Sequence, residues 1–151
     1  MQQEPAERLA RAQAFFDAIP HSRVLGLELV DFRDNTATAR VAYRAELIGN
    51  PANGSIHGGV IITLIDQTSG VAVFASLPEP EMVATLDLRI DYLRTPRPGA
   101  AVYARAHCHR ITAAIAFVRC EVYHDQEAEP VAVSISSFMR TGSKLGVMAG
   151  A

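Results

Sequence analysis

The feature that most constrains this chain is an apolar stretch, Gly58–Ser76, with a single charged side chain, Asp66. Its apolar residues cover most of the circumference of a helix, which is typical of a helix buried on nearly all sides. The stretch is too long for an ordinary β-strand. No uninterrupted apolar run reaches about 18 residues, the length at which a membrane span is expected. We therefore predict a central helix inside a soluble fold.

The segments around this helix show period-two hydrophobicity, which predicts β-strands. They cover residues 36–44, 82–93, 102–110, 115–124 and 130–140. An amphipathic helix is predicted over residues 5–19, a loop over 48–55 and a frayed tail from residue 141. One long helix beside about five strands predicts an α+β fold, in which a curved antiparallel sheet wraps around the central helix. In residues 82–93, strict alternation places Thr85 and Asp87 on the face opposite Leu86 and Leu88.

Length and charge narrow the function classes. A chain of 151 residues and 16.3 kDa with a net charge of −2 predicts one domain over residues 1–151, with its core at about 36–140. No dense run of basic residues marks a nucleic-acid surface. The N-terminus lacks the pattern of a secretory signal, so a cytoplasmic location is expected.

The cysteine and histidine patterns predict no metal site. Cys108 and Cys120 lack metal-ligand spacing and fall in predicted strands, so we expect reduced, buried thiols. His107 and His109 share a strand face but have no third ligand at a recognisable spacing.

Two features of the helix predict a reaction site. In the third turn, Asp66 neither caps the helix nor complements its dipole, and burial of a lone carboxylate is costly. A solvated helix edge or a buried hydrogen-bond network is the structural alternative. At the helix start, His57-Gly58-Gly59 combines free N–H groups with backbone open to a ligand carbonyl. This arrangement favours an oxyanion site, the alternative being a tight loop-to-helix junction.

The two features lie too far apart to serve one reaction centre in one chain. Gly58 and Asp66 are separated by eight residues, or about 12 Å along a helix axis. One centre could contact Gly58 of one subunit and Asp66 of another if two such helices ran antiparallel across a two-fold axis. We therefore predict an obligate homodimer with interfacial sites. A tetramer formed by paired sheets remains open.

The segment Asn50–Gly59, followed by Asp66 and by the run 91–96 (DYLRTP), resembles the hotdog-fold acyl-CoA thioesterases of the phenylacetate-pathway, 4-hydroxybenzoyl-CoA thioesterase-like type. The resemblance extends from about Thr36 to Arg140. It implies a hotdog fold, an acyl-CoA substrate, and neither cofactor nor metal.

The resemblance also implies roles around the thioester carbonyl. The backbone N–H of Gly58 would polarise the carbonyl, Asn50 would assist, and His57 would orient the loop. The family asparagine commonly stands six residues before the histidine, where this chain has Pro51. A one-residue loop insertion would restore Asn50, and Asn53 is the alternative.

The remaining implied roles concern attack on the thioester and binding of coenzyme A. Asp66 of the partner subunit would act as general base or nucleophile, oriented by Thr85 on the next strand. Gly59 would contact the substrate. Basic residues at the sheet rim would meet the phosphates of coenzyme A: Arg94, Arg97 and Arg110.

Two other functions fit the same residues. In an acyl-thioester hydratase or dehydratase, His57 and Asp66 would form the acid/base pair, with His57 pointing into the acyl tunnel. A non-catalytic module would bind acyl-CoA tightly and release no free thiol.

Overall fold

A computed structural model describes residues 4–125 and 128–144. Within them lie three α-helices, eight β-strands and a short 3-10 turn at Ala45–Leu47. The helices are α1 (Pro5–Ala18), α2 (Pro20–Leu25) and α3 (Gly58–Ser76). The strands are β1 (Leu27–Arg33), β2 (Thr36–Val41), β3 (Ile48–Asn50), β4 (Ser55–Ile56), β5 (Glu81–Tyr92), β6 (Val102–Ile111), β7 (Ile115–Tyr123) and β8 (Ala132–Lys144).

Six of these strands form one antiparallel sheet in the order β1-β2-β6-β7-β8-β5. Helix α3 packs across β2, β5, β6 and β7. The inward side chains of β6 are small, namely Val102, Ala104, Ala106 and Cys108, so the helix can approach the sheet closely. The predicted α+β fold is confirmed, with six strands in the main sheet instead of about five.

The additional strand is β1, which the hydrophobic pattern does not reveal. A β-bulge between Leu29 and Asp31 shifts its pairing with β2. Leu27 and Phe32 are therefore both buried although they are five positions apart, a spacing that strict alternation would place on opposite faces. The predicted first helix is confirmed as α1, which ends before Pro20. Pro20 begins a short additional helix, α2, which was not predicted.

A second bulge corrects the predicted faces of β5. The register with β8 shifts between Thr85 and Asp87. Thr85 lies opposite the buried Phe138, and Leu88 lies opposite the buried Ser136. Thr85 and Leu88 thus share the helix-facing side of the sheet, whereas alternation had separated them.

The C-terminal strand is longer than predicted. Residues 141–144 continue β8 instead of fraying, since the carboxylate of Glu81 binds both the Arg140 guanidinium and the N–H of Gly142. The rest of the predicted frayed tail, 145–151, lies outside the described residues.

Helix α3 has the predicted bounds, but one side of it is open. Leu64, Ile65 and Val71 are fully buried, whereas Ile62 is 44% exposed and Asp66 is half-buried. Among the described residues, α3 is the one helix long and apolar enough to cross a membrane, and 67% of its most apolar stretch lies buried inside the chain.

Both cysteines are free and buried, as predicted. Burial raises the pKa of the Cys108 thiol to about 11 and that of Cys120 to about 12. These thiols therefore remain protonated at neutral pH and are poor nucleophiles.

Candidate active site

The start of α3 contains a backbone donor that is unused. His57 is the N-cap, and its Nδ1 accepts the N–H of Gly59 at 2.8 Å. The carbonyl of His57 accepts the N–H of Val60 at 3.0 Å. Within the described part of the chain, the N–H of Gly58 has no acceptor. It lies at the positive end of the helix dipole, where a developing oxyanion is stabilised.

The loop before this helix is held by its own asparagines. Asn50 Oδ1 accepts the N–H of Ala52, and Asn53 Oδ1 accepts the N–H of Ser55, each at 3.0 Å. Tyr43 donates its hydroxyl to the carbonyl of Gly54 at 2.7 Å. Both candidate asparagines are exposed and use their side-chain oxygens within the loop.

The central acid is paired with the predicted threonine. Thr85 Oγ1 donates to Asp66 Oδ1 at 2.7 Å. The bulge in β5 makes this contact possible, because it turns Thr85 towards α3. A carboxylate held in this way keeps its other oxygen available for water or substrate.

A surface recess of about 390 Å³ opens beside the free N–H group. Its lining consists of Ile56, Gly58, Ile61, Tyr92, Leu93, Arg94, Thr95 and Pro96. The hydroxyl of Tyr92 donates to the carbonyl of Gly58 at 3.3 Å, and partial burial raises its pKa. The wall of this recess is therefore built from the DYLRTP run.

The structure brings two of the three candidate arginines to one place. Arg94 lines the recess, and its guanidinium donates to the carbonyl of Glu129 at 2.7 Å. Arg97 follows in the next turn with an exposed side chain. Arg110 lies near the other end of β6, about 27 Å along the strand from Val102. Within one chain, Arg110 therefore does not lie beside Arg94 and Arg97.

The carbonyl-binding end and the acidic end of α3 remain separate within one chain. β5 runs antiparallel to α3, with Thr85 contacting Asp66 and Tyr92 contacting Gly58. An eight-residue helical separation, about 12 Å, therefore still divides the free N–H of Gly58 from the carboxylate of Asp66.

An exposed apolar strip, which we call the β5 strip, runs along the open edge of the sheet beside this site. Among the strands of residues 4–125 and 128–144, β5 is an outer strand of the sheet and is hydrogen-bonded only to β8. The strip consists of Ile62 (44% exposed), Met82 (45%), Leu86 (52%), Tyr92 (50%) and Leu93 (54%). A long, unpaired edge strand with exposed apolar side chains is a surface on which another chain can pair.

Sequence reasoning missed two residues that shape the site. Tyr92 had no predicted role in the site, although its position in the DYLRTP run is a signal. Gly49 lies in the predicted loop with no predicted role, yet a Cβ there would lie 2.5 Å from His57 Cα. A glycine in a turn-rich segment next to a candidate site was the available signal.

The two strand histidines lie on the outer sheet surface. His107 Nδ1 is 2.9 Å from Thr36 Oγ1, and the ring of His109 packs against Phe117. Over residues 4–125 and 128–144, no three histidine, cysteine, aspartate or glutamate side chains converge as metal ligands.

Comparison with known proteins agrees with this architecture. The sequence profile of the thioesterase superfamily matches residues 53–131. The medium/long-chain acyl-CoA thioesterase YigI of Salmonella typhimurium is 31% identical over 142 residues, covering 84% of this chain and 89% of that protein.

Solved structures show the same fold. A Pseudomonas aeruginosa protein has a TM-score of 0.80 and 41% identity, with 88% of this chain and 98% of that chain covered. The Escherichia coli PaaI protein from the phenylacetic acid degradation operon has a TM-score of 0.83, with 94% and 99% coverage. At 19% identity, this second likeness concerns the fold alone.

Proposed function

This chain belongs to the thioesterase superfamily and is a thioester hydrolase, and on that premise we propose that it cleaves acyl-CoA to a free acid and coenzyme A at sites shared between two copies. The observation that supports the mechanism is the free N–H of Gly58 at the start of α3. The one acidic residue of this helix, Asp66, accepts a hydrogen bond from Thr85. The relative named as an acyl-CoA thioesterase supports this substrate class.

The proposed reaction places the thioester carbonyl on the N–H of Gly58. Asp66 of the second copy removes a proton from water, and the water oxygen forms a bond with the carbonyl carbon. The negative charge that develops on the carbonyl oxygen is stabilised by Gly58 and the helix dipole. The C–S bond then breaks, and the sulfur takes up the proton as the free thiol. Direct attack by Asp66 is the alternative route.

The β5 strip supports the shared site. Two β5 strands pairing antiparallel across a two-fold axis would cover the strip on both copies. The same axis would set the two α3 helices antiparallel, so that the acid of each copy faces the amide end of the other. A tetramer through the outer sheet faces and a cytoplasmic location remain part of this proposal.

Replacement of the acid tests the chemistry. Release of free thiol is measured over a panel of acyl-CoA chain lengths. Asp66→Asn is expected to lower kcat by about 10²- to 10⁴-fold, the usual contribution of a general base. Asp87→Asn is the matched control, because this carboxylate is exposed on the opposite face of β5. Full activity of Asp66→Asn would overturn the proposal.

Replacement of Gly58 tests the amide. Gly58 is the first residue of α3, where proline is well tolerated, and His57 already has the extended backbone (φ −60, ψ 136) that precedes proline. Gly58→Pro therefore deletes the N–H while suiting the helix, and kcat is expected to fall about 10²- to 10³-fold.

Gly58→Ala is the matched variant because it keeps the N–H. Its Cβ would lie 3.6 Å from the Tyr92 hydroxyl, an ordinary contact, so most of the activity is expected to remain. Equal activity of the proline and alanine variants would contradict the role of the amide.

A further inference from the structure

Beneath the turn that carries Arg97 lies a fully buried histidine, His124, whose two ring nitrogens are both used. It follows the end of β7 and has 0% exposure. Its Nε2 accepts the backbone N–H of Arg97 at 2.8 Å, and its Nδ1 lies 2.8 Å from the carbonyl of Ala101. Because a carbonyl only accepts, Nδ1 carries the proton and the ring is neutral.

This one ring ties together both ends of the turn that separates the recess from β6. Arg97 begins the turn and Ala101 ends it. With His124 removed, a part-buried N–H and a part-buried carbonyl would both lose their partner, and such groups are costly to leave unpaired. The turn therefore has one defined position relative to the protein core.

The other side of the turn meets the loop of the candidate site. A Cβ at Gly54 would lie 3.5 Å from the Cβ of Pro98 and 3.2 Å from the hydroxyl of Tyr43. The preceding residues, from Tyr92 to Pro96, line the recess beside Gly58. Two contacts thus fix the position of Arg97 relative to the N–H of Gly58. One is the hydrogen bond from its backbone to His124, and the other is the packing of Pro98 against Gly54.

We propose that His124 is a positioning residue for coenzyme A, which acts by holding the backbone of Arg97 so that its guanidinium meets a phosphate of the nucleotide. This role rests on the proposed function. It separates recognition of the nucleotide end of the substrate from the chemistry at the thioester.

Two substitutions at His124 test its two hydrogen bonds separately. A glutamine places its side-chain oxygen near the position of Nε2, so His124→Gln can still accept the N–H of Arg97. An asparagine places its amide nitrogen near the position of Nδ1, so His124→Asn keeps the Ala101 bond and loses the Arg97 bond. Both remove the ring, which makes them a matched pair for loss of packing.

The readout is KM for an acyl-CoA compared with KM for the same acyl-pantetheine, which lacks the nucleotide phosphates. His124→Asn is expected to raise KM for acyl-CoA about tenfold, with kcat and the KM for acyl-pantetheine unchanged. His124→Gln is expected to stay near wild type. His21→Asn, at an exposed histidine on α2, is expected to change nothing.

Coupling to Arg97 is the second measurement. Arg97→Ala is expected to raise KM for acyl-CoA alone, and addition of His124→Asn should then have little further effect. The proposal is overturned if His124→Asn changes both substrates equally or neither. If that variant does not fold, an unchanged KM for acyl-CoA in Arg97→Ala overturns it.

Calorimetric binding of coenzyme A and pantetheine repeats the comparison without turnover. A wild-type protein that binds coenzyme A but releases no thiol from acyl-CoA would contradict the proposed hydrolysis. In that case, the loss of coenzyme A binding in His124→Asn, with pantetheine binding unchanged, would still decide the role of His124.

Discussion

At the scale of single residues, the hydrogen bond from Thr85 to Asp66 orients the proposed catalytic acid. A 2.7 Å hydrogen bond to a carboxylate contributes about 1.5 to 3 kcal/mol. We predict that Thr85→Val, which keeps the shape and removes the hydroxyl, lowers kcat about 10- to 100-fold with little change in KM. Thr85→Ser should restore most of the loss. Steady-state kinetics by thiol release decides the matter, and a loss that serine does not rescue would point to packing instead.

The buried thiols allow a prediction about pH. In the native state, burial raises the pKa of the Cys108 thiol from an ordinary value of 9.0 to about 11. The stabilisation from this neutral thiol is fully present below pH 9 and is lost as the pH rises towards 11, because the unfolded chain ionises first. The free energy of unfolding in urea is therefore expected to fall between pH 8.5 and pH 10.5 on the order of 1 kcal/mol per thiol. Native protein should also react slowly with a thiol reagent at pH 8. Rapid labelling of the folded protein would contradict this prediction.

At the scale of elements, the β3–β4 ribbon positions the start of α3. Ile48 pairs with Ile56, and the N–H of His57 donates to the carbonyl of Leu47 at 2.8 Å. A Cβ at Gly49 would lie 2.5 Å from His57 Cα, where backbone would have to move.

We predict that Gly49→Ala destabilises the protein by about 1 to 3 kcal/mol, the usual cost of overpacking. It should also lower kcat through displacement of His57. Denaturant unfolding and thiol release measure the two effects. Gly58→Ala serves as the comparison, because its added Cβ makes only an ordinary contact. Equal stability of the two alanine variants would contradict this prediction, because it would mean that the β3–β4 ribbon accommodates the added Cβ at little cost.

At the scale of the whole molecule, the shared site predicts that the dimer and the activity are lost together. Leu86→Glu puts a charge in the middle of the β5 strip and is expected to give a species of 16.3 kDa by light scattering, with little activity. Val24→Glu is the control, because this exposed side chain (71%) lies on α2, away from β5. A fully active monomer would rule out sites shared between copies.

Complementation tests the shared site directly. A dimer of one Asp66→Asn chain and one Gly58→Pro chain has one site with both defects and one site with neither. Such heterodimers, purified through two different tags, are expected to recover about half of the wild-type activity, because one of the two sites of a two-fold dimer is intact. Each parent homodimer should remain inactive. No recovery in the heterodimer would mean that both groups act from the same chain.

The sequence by itself determined the central helix, the strand-rich surroundings and the choice of Asp66. These depend on local properties: the spacing of apolar residues, turn formers, and one charge in an apolar run. It could not determine the faces of β1 and β5, since a bulge is a property of the pairing between two strands and leaves no mark in the spacing of one.

Only the tertiary structure decided which residues contact one another across the fold. Asp66 meets Thr85 because a bulge turns one strand, and His124 holds Arg97 from 27 positions away in the sequence. Such contacts come from the packing of several elements at once, so no single stretch of sequence encodes them. The sequence pattern singled out the acid and the family resemblance implied its partner, but the packing decided how the two come into contact.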